Sequence, residues 1–131
     1  MNRKSKGFTL IELVTVIAIL GVLAAMTVPK FFALQAKARV EVEAQIIGTI
    51  RAGLETFAAN EIVQSGSKSY PVSTTATVLT DILNPVPAGW TYTPGTPGTI
   101  VSGRTDSTIT WDYSRPSDAT YTITYSGDTR L

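Results

Sequence analysis

From Phe8 to Pro29 the chain carries a single ionisable side chain, Glu12, and behind it seventeen residues, Leu13 to Pro29, run without another. That run sits at the lower end of the roughly 17–25 apolar residues a helix needs to cross bilayer hydrocarbon. A segment so uniformly apolar has no water-facing side, so only lipid, an enclosing core or other apolar helices can satisfy it. Arg3, Lys4 and Lys6 precede it. Basic residues on one flank keep that flank cytoplasmic while the chain beyond the helix is exported. The segment reads as a membrane-inserting helix or an export signal.

Past Lys30 the pattern turns amphipathic. Ile46, Ile50, Leu54 and Ala58 recur every four residues, with Ile47 and Phe57 beside them. This predicts a helix with one oily face from about Leu34 to Ile62. Lys37 and Glu41, Arg39 and Glu43, and Arg51 and Glu55 stand four apart on what reads as the polar side, a spacing that supports a helix weakly. Gly48 and Gly53 lower helix propensity without ending the pattern. Joined to the apolar run, Phe8 to Asn60 would form one helix on the order of 80 Å long at about 1.5 Å per residue.

Composition changes at Ser65-Gly66-Ser67, a turn signal. Val78, Leu79, Ile82 and Leu83 predict one short helix, capped by Thr74 or Thr75 and ended by Asn84-Pro85. Four prolines and three glycines from Pro85 to Gly98 make a loop-rich connection around the alternating Trp90 and Tyr92. Beyond it Ile109, Trp111 and Tyr113, then Tyr121, Ile123 and Tyr125, alternate with polar residues. Ser114 to Asp118, with Pro116 among them, reads as the hairpin loop between these runs. With residues 99–102 and 90–93 they predict a small antiparallel sheet of three or four strands, its buried face covered by residues 46–58. The fold class is α+β, with a long N-terminal α-helix packed on a small C-terminal antiparallel sheet.

Missing residue types narrow the chemistry. Among 131 residues there is neither histidine nor cysteine. This excludes a Ser-His-Asp triad, a Cys-His pair, thiolate redox chemistry and zinc or haem of ordinary ligation. Eleven Lys/Arg against ten Asp/Glu, with Lys68, Arg104, Arg115 and Arg130 scattered, argue against a basic nucleic-acid surface. Asp106, Asp112, Asp118 and Asp128 lie in or beside turns and are weak calcium candidates. They lack EF-hand spacing, and solvated turns account for them more simply, so neither metal nor cofactor is expected. Trp90, Trp111, Tyr113, Tyr121 and Tyr125 could form a sugar platform, but alternating strand aromatics more often pack as a core face. Nothing gathers a nucleophile, a base and oxyanion donors, so the chain is expected not to be an enzyme; a membrane-tethered enzyme is the remote alternative.

The most specific signal is Lys6-Gly7-Phe8-Thr9-Leu10-Ile11-Glu12-Leu13. It resembles the prepilin leader junction of type IV pilins and type II secretion pseudopilins. The likeness extends through Val14 to Pro29, with Gly21 and Pro29 placed as in many pilins. The resemblance implies that a prepilin peptidase cuts between Gly7 and Phe8 on the cytoplasmic side and methylates the new α-amine of Phe8. It also implies a leader over 1–7, a membrane-spanning and filament-core helix half over 8–33, and a pilin-like head over 34–131. The head would hold the amphipathic helix half 34–62, a connecting loop 63–89 and the sheet 90–128. Such cleavage keeps the apolar helix on the mature chain, and loss of three basic residues leaves eight Lys/Arg against ten Asp/Glu. A conventional signal peptide would instead be cut near Leu23-Ala24-Ala25. Glu12 at the start of the apolar run, and a helix continuing directly beyond it, count against that.

Glu12 needs a reason for its position. A charge in hydrocarbon costs about 2.5–3.5 kcal/mol at the centre of a helix, less near its end, and usually has a partner. An α-amine titrates near 8 and is largely protonated at neutral pH. The resemblance implies that Glu12 pairs with the Phe8 amine of a neighbouring subunit, neutralising both charges and setting axial register. Snorkelling to the headgroups is the plain alternative. Pro29 removes one helical hydrogen bond, and Gly21 is a second weak point. The resemblance implies that this stretch unwinds in assembled filaments.

The implied partners are identical copies in a helical filament, the peptidase/methyltransferase, an inner-membrane assembly platform and, before assembly, the bilayer; no specific nucleic acid is expected. The implied location is the bacterial inner membrane, single-pass with a cytoplasmic N-terminus, then an extracellular pilus or a periplasmic pseudopilus. Pro29-Lys30-Phe31-Phe32, with Leu34-Gln35 and Ala38-Arg39, resembles the mannose-sensitive haemagglutinin type of pilin. Ser69-Tyr70-Pro71 resembles the tyrosine-proline step of the major pseudopilin. The cysteine pair of many pilins and the aspartate-proline-tryptophan-glycine segment of the major pseudopilin are both missing. A pilus subunit serving adhesion, motility or DNA uptake is the first reading, and a secretion pseudopilin the alternative.

Overall fold

The computed structural model describes residues 7–103 and 108–128. Arg3, Lys4, Lys6, Arg104, Asp106 and Arg130 lie outside the described residues. The chain divides into two compact units, residues 1–42 and 43–131. Helix α1, Leu10–Ser65, contributes to both, with Pro29 inside it.

In the first unit every residue from Gly7 to Ala38 is exposed, including all its large apolar side chains. Thr15 and Thr27 donate their hydroxyls to the carbonyls of Ile11 and Leu23, at 2.8 and 2.7 Å. Their polar atoms are thus satisfied within the helix, as an apolar surrounding requires.

The second unit is built on the amphipathic stripe. Ile47, Ile50, Leu54 and Ala58 are buried, while Ile46 and Phe57 are half-buried, so the face centres on Ile47 rather than Ile46. These side chains form one cluster with Tyr70, Val78, Leu79, Trp90, Ile100 and Tyr113. Fully burying each large side chain contributes about 1.5–3 kcal/mol. The expected polar side needs one correction, and its exposed Glu55 finds partners outside the helix. Glu43 is buried. Glu55 binds not Arg51 but Lys68, at 3.3 Å, and the Tyr70 hydroxyl, at 2.7 Å. A partner brought in by the fold holds the carboxylate more closely than one four residues back, and the Arg51 guanidinium lies instead 3.5 Å from the Ile123 carbonyl.

Helix α2, Val78–Ile82, starts after Thr77 rather than Thr74 or Thr75. The Thr77 hydroxyl bonds the Asp81 carboxylate at 2.8 Å instead of a free backbone N–H. Where α1 meets α2 the chains nearly touch: a Cβ on Gly53 would lie 2.7 Å from the Ile82 carbonyl oxygen.

Four antiparallel strands follow in a meander, in the order β1 (Trp90–Thr93), β2 (Gly98–Gly103), β3 (Thr108–Ser117) and β4 (Thr120–Asp128). Trp90, Ile100, Ser102, Ile109 and Tyr113 are buried, as period-two alternation dictates for one covered face. Most of the aromatics pack on one another, while Tyr125 meets Trp111 edgewise and stays 57% exposed. Trp90 stacks on Trp111 with centroids 5.2 Å apart, and Tyr113 contacts Tyr92 and Tyr121 edgewise or tilted.

The Ser114–Asp118 loop is not observed: β3 runs to Ser117, and Ser117 already pairs with Thr120. The register slips between Ser114 and Ser117, and β2 pairs no further than Tyr113. Pro116, which lacks an N–H, therefore sits where no ladder bond is demanded of it.

Two sheet tyrosines tie the 66–77 connection down. Tyr113 donates its hydroxyl to the Pro71 carbonyl at 2.7 Å, and Tyr92 to that of Ser73 at 2.6 Å. Arg115 completes the clamp, donating to the Tyr70 carbonyl at 3.0 Å and pairing with Asp118 at 3.0 Å.

Candidate functional site at the start of the long helix

Gly7, Phe8 and Thr9 precede α1 in extended or irregular backbone. Phe8 is 86% exposed, and a Cβ added at Gly7 would meet nothing within 4 Å. No fold contact therefore hinders access to the Gly7–Phe8 bond from the described residues.

The helix begins with a reciprocal cap. Thr9 accepts the first helical bond, from the Leu13 N–H at 3.2 Å. Its hydroxyl oxygen accepts the Glu12 N–H at 3.3 Å. In return one Glu12 carboxylate oxygen accepts the Thr9 N–H at 2.9 Å and the Thr9 hydroxyl at 2.8 Å. This is a capping box, in which threonine and glutamate three residues apart satisfy each other's free donors. A carboxylate at this position also faces the positive end of the helix dipole. The isolation of Glu12 in the apolar run draws attention to its charge, whether paired or snorkelling, and not to this cap. The Thr9-x-x-Glu12 spacing is the signal that would have revealed its local role.

Behind the cap, α1 is long and apolar enough to cross a membrane, and none of its apolar stretch is buried. The N-terminal side of this helix thus joins an accessible glycine-aromatic bond, one capped carboxylate and an uncovered apolar surface. That combination coincides with a recognised family model, described as the prokaryotic N-terminal methylation motif, which matches residues 2–28. The chain carries a prepilin-type methylation motif.

The prepilin-type motif brings relatives with it. The chain is 50% identical over 38 residues to the type IV major pilin protein PilA of Myxococcus xanthus, covering 29% of this chain and 17% of that protein. It is 33% identical over 89 residues to the type II secretion system core protein G of Pseudomonas aeruginosa, covering 68% of this chain and 61% of that protein. A type IV major fimbrial protein FimA of Dichelobacter nodosus is 41% identical over 56 residues, or 43% of this chain and 36% of that one. The chain thus spans less than two thirds of the length of these relatives. No solved structure matches it.

The remaining candidates are dispersed. Gly21 and Pro29 lie within the continuous α1, and nothing stands within 4 Å of a Cβ at Gly21. Asp118 is engaged by Arg115, Asp112 lies in β3, Asp106 is outside the described residues and so is the side chain of Asp128. Among the described residues no three carboxylates gather as metal ligands. Lys68 pairs with Glu55 and stands 5.0 Å over the Tyr70 ring.

Proposed function

We propose that this chain is a structural subunit of a type IV pilus-like filament, anchored in the bacterial inner membrane by α1 and polymerised through that helix. The observation that carries the reading is the Gly7–Phe8 junction of the methylation motif leading directly into a capped, exposed apolar helix. A prepilin peptidase hydrolyses the Gly7–Phe8 amide on the cytoplasmic side, and the released Phe8 amine is methylated. The helix stays on the mature chain and holds it in lipid until neighbouring helices replace the lipid. Glu12, freed from its cap or sharing it, pairs with the Phe8 amine of the adjacent copy. Losing one partner of a buried pair costs about 3–5 kcal/mol, enough to reject a subunit out of register.

A second reading is a type II secretion pseudopilus. The alignment with core protein G favours it, since it reaches across 68% of this chain while that with PilA covers 29%.

Mass spectrometry of the protein purified from its host tests the processing. A mature chain beginning at N-methylated Phe8 is expected, and a start near Met26 would overturn the reading in favour of an ordinary signal peptide. Deleting the chain separates the two filaments: loss of surface fibres marks a pilus, and exported enzymes trapped in the periplasm mark a pseudopilus.

A further inference from the structure

Two surfaces of this chain carry opposite charge and uncovered apolar area. The first lies within residues 43–131, where an open recess of about 250 Å³ is lined by Phe57, Pro71 and Val72 and by the acidic side chains of Glu61 and Asp81. Arg115 also lines it, but its guanidinium is taken by Asp118 and the Tyr70 carbonyl. The Glu61 carboxylate has no hydrogen-bond or ion-pair partner among the described residues. Neighbouring apolar side chains stay uncovered: Val72 is 44% exposed, Ile62 47% and Val63 86%.

The second surface is on α1 within residues 1–42. Lys30, Leu34 and Lys37 recur at the four- and three-residue steps that place side chains on one helix face. All three are exposed, and neither lysine has a partner among the described residues. One apolar side chain between two ammonium groups about 10 Å apart along the axis is the complement of an apolar wall with two carboxylates. Charge over longer range agrees: residues 30–39 hold three basic groups and no acid, whereas residues 43–131 hold eight acidic groups against five basic.

Resting on the filament reading, we propose that the recess of one copy receives the Lys30–Leu34–Lys37 face of a second copy. Leu34 lies on the Phe57–Val72 wall, the Lys37 ammonium meets Glu61 and the Lys30 ammonium meets Asp81. Exposed ion pairs of this kind contribute little affinity but strongly disfavour a wrong register. The apolar contact supplies adhesion, and the charges select which neighbour fits.

The test uses the full chain in cells that process and assemble it. Glu61→Lys and Lys37→Glu should each lower filament yield about tenfold, through like charges brought together at a contact. The double reversal should restore most of the yield, which no repair of a misfolded recess by a substitution on another copy's helix would do. Because the chain has no cysteine, Leu34→Cys with Val72→Cys should give a ladder of intermolecular disulfides in filaments and none in the membrane pool. Single reversals at wild-type yield, absence of rescue, or filaments without the ladder would each overturn the proposal. Failure of the wild-type chain to be cut after Gly7 or to form filaments would instead overturn the filament reading beneath it.

Discussion

The Glu12 carboxylate accepts both the backbone N–H and the hydroxyl of Thr9, at 2.9 and 2.8 Å. A residue whose isolation in an apolar run suggests an intermolecular partner is therefore already engaged within its own helix. Its two duties have different chemical requirements. Capping needs an acceptor oxygen at this spacing, which an amide also provides. Pairing with an ammonium group needs the negative charge.

Glu12→Gln and Glu12→Leu separate those duties. Both variants should insert in the membrane and be cleaved, and both should give little filament in competition with wild type. Only Glu12→Leu should also fray the first turn, losing about 1 kcal/mol of cap, read as faster amide exchange at residues 10–13. Wild-type filament yield from Glu12→Gln would remove the charge from the assembly mechanism.

Gly7→Ala should leave uncut precursor in the membrane with its fold unchanged. The position is open to a Cβ, so any processing defect reports recognition by the peptidase rather than crowding in this chain. Ordinary accumulation of mature protein would show that glycine is not required there.

Gly21 and Pro29 bracket a stretch that is helical in the single chain. In a filament map the helix is expected to open between them, because Pro29 removes a backbone donor and Gly21 gains most from freedom. Continuous helical density through 21–29 would contradict this.

Gly53→Ala and Gly48→Ala should act in opposite directions. The added Cβ at position 53 meets the Ile82 carbonyl oxygen at 2.7 Å, whereas that at position 48 meets nothing. Overpacking at Gly53 should cost about 1–3 kcal/mol, lowering the melting temperature by about 4 °C or more. Gly48→Ala should gain about 0.5–1 kcal/mol of helix propensity. Thermal melts of the full chain in detergent compare them directly.

Alkaline stability should depend on the two clamping phenols. Burial pushes Tyr92 up to about 12, and burial, reinforced by the nearby Tyr92, pushes Tyr113 higher still. Both donate as neutral groups. Since a phenol in the unfolded chain titrates near 10, their contribution is complete below about pH 10 and is lost as pH rises through 10 to 12. Tyr92→Phe should flatten that loss in melts recorded between pH 8 and 12, and an unchanged slope would refute the linkage. On the acid side Glu55 is held below the usual carboxylate range, first by the Tyr70 hydroxyl and then by Lys68. Its contribution is present above the ordinary carboxylate value and lost as pH falls below it.

Local regularities were legible because they repeat. The apolar run, the four-residue stripe from Ile46 to Ala58 and the alternation at Ile109, Trp111 and Tyr113 each imprint a period, and each forms the corresponding element. Turn and cap details were less legible. Pro116 marks a loop in most contexts, yet here it lies inside β3 because β2 ends before it. Thr77 rather than Thr74 or Thr75 precedes α2.

By itself the sequence determined the prepilin-type junction, the uncovered apolar helix and the α+β order of elements, all of which depend on neighbours within a few residues. Only the tertiary structure decided that Glu55 meets Lys68 and Tyr70 rather than Arg51, that Gly53 admits α2, and that Tyr92 and Tyr113 hold the connection beside Pro71 and Ser73. Those contacts join residues 13 to 42 positions apart. No local pattern encodes them, because each depends on where packing brings distant donors, acceptors and surfaces together.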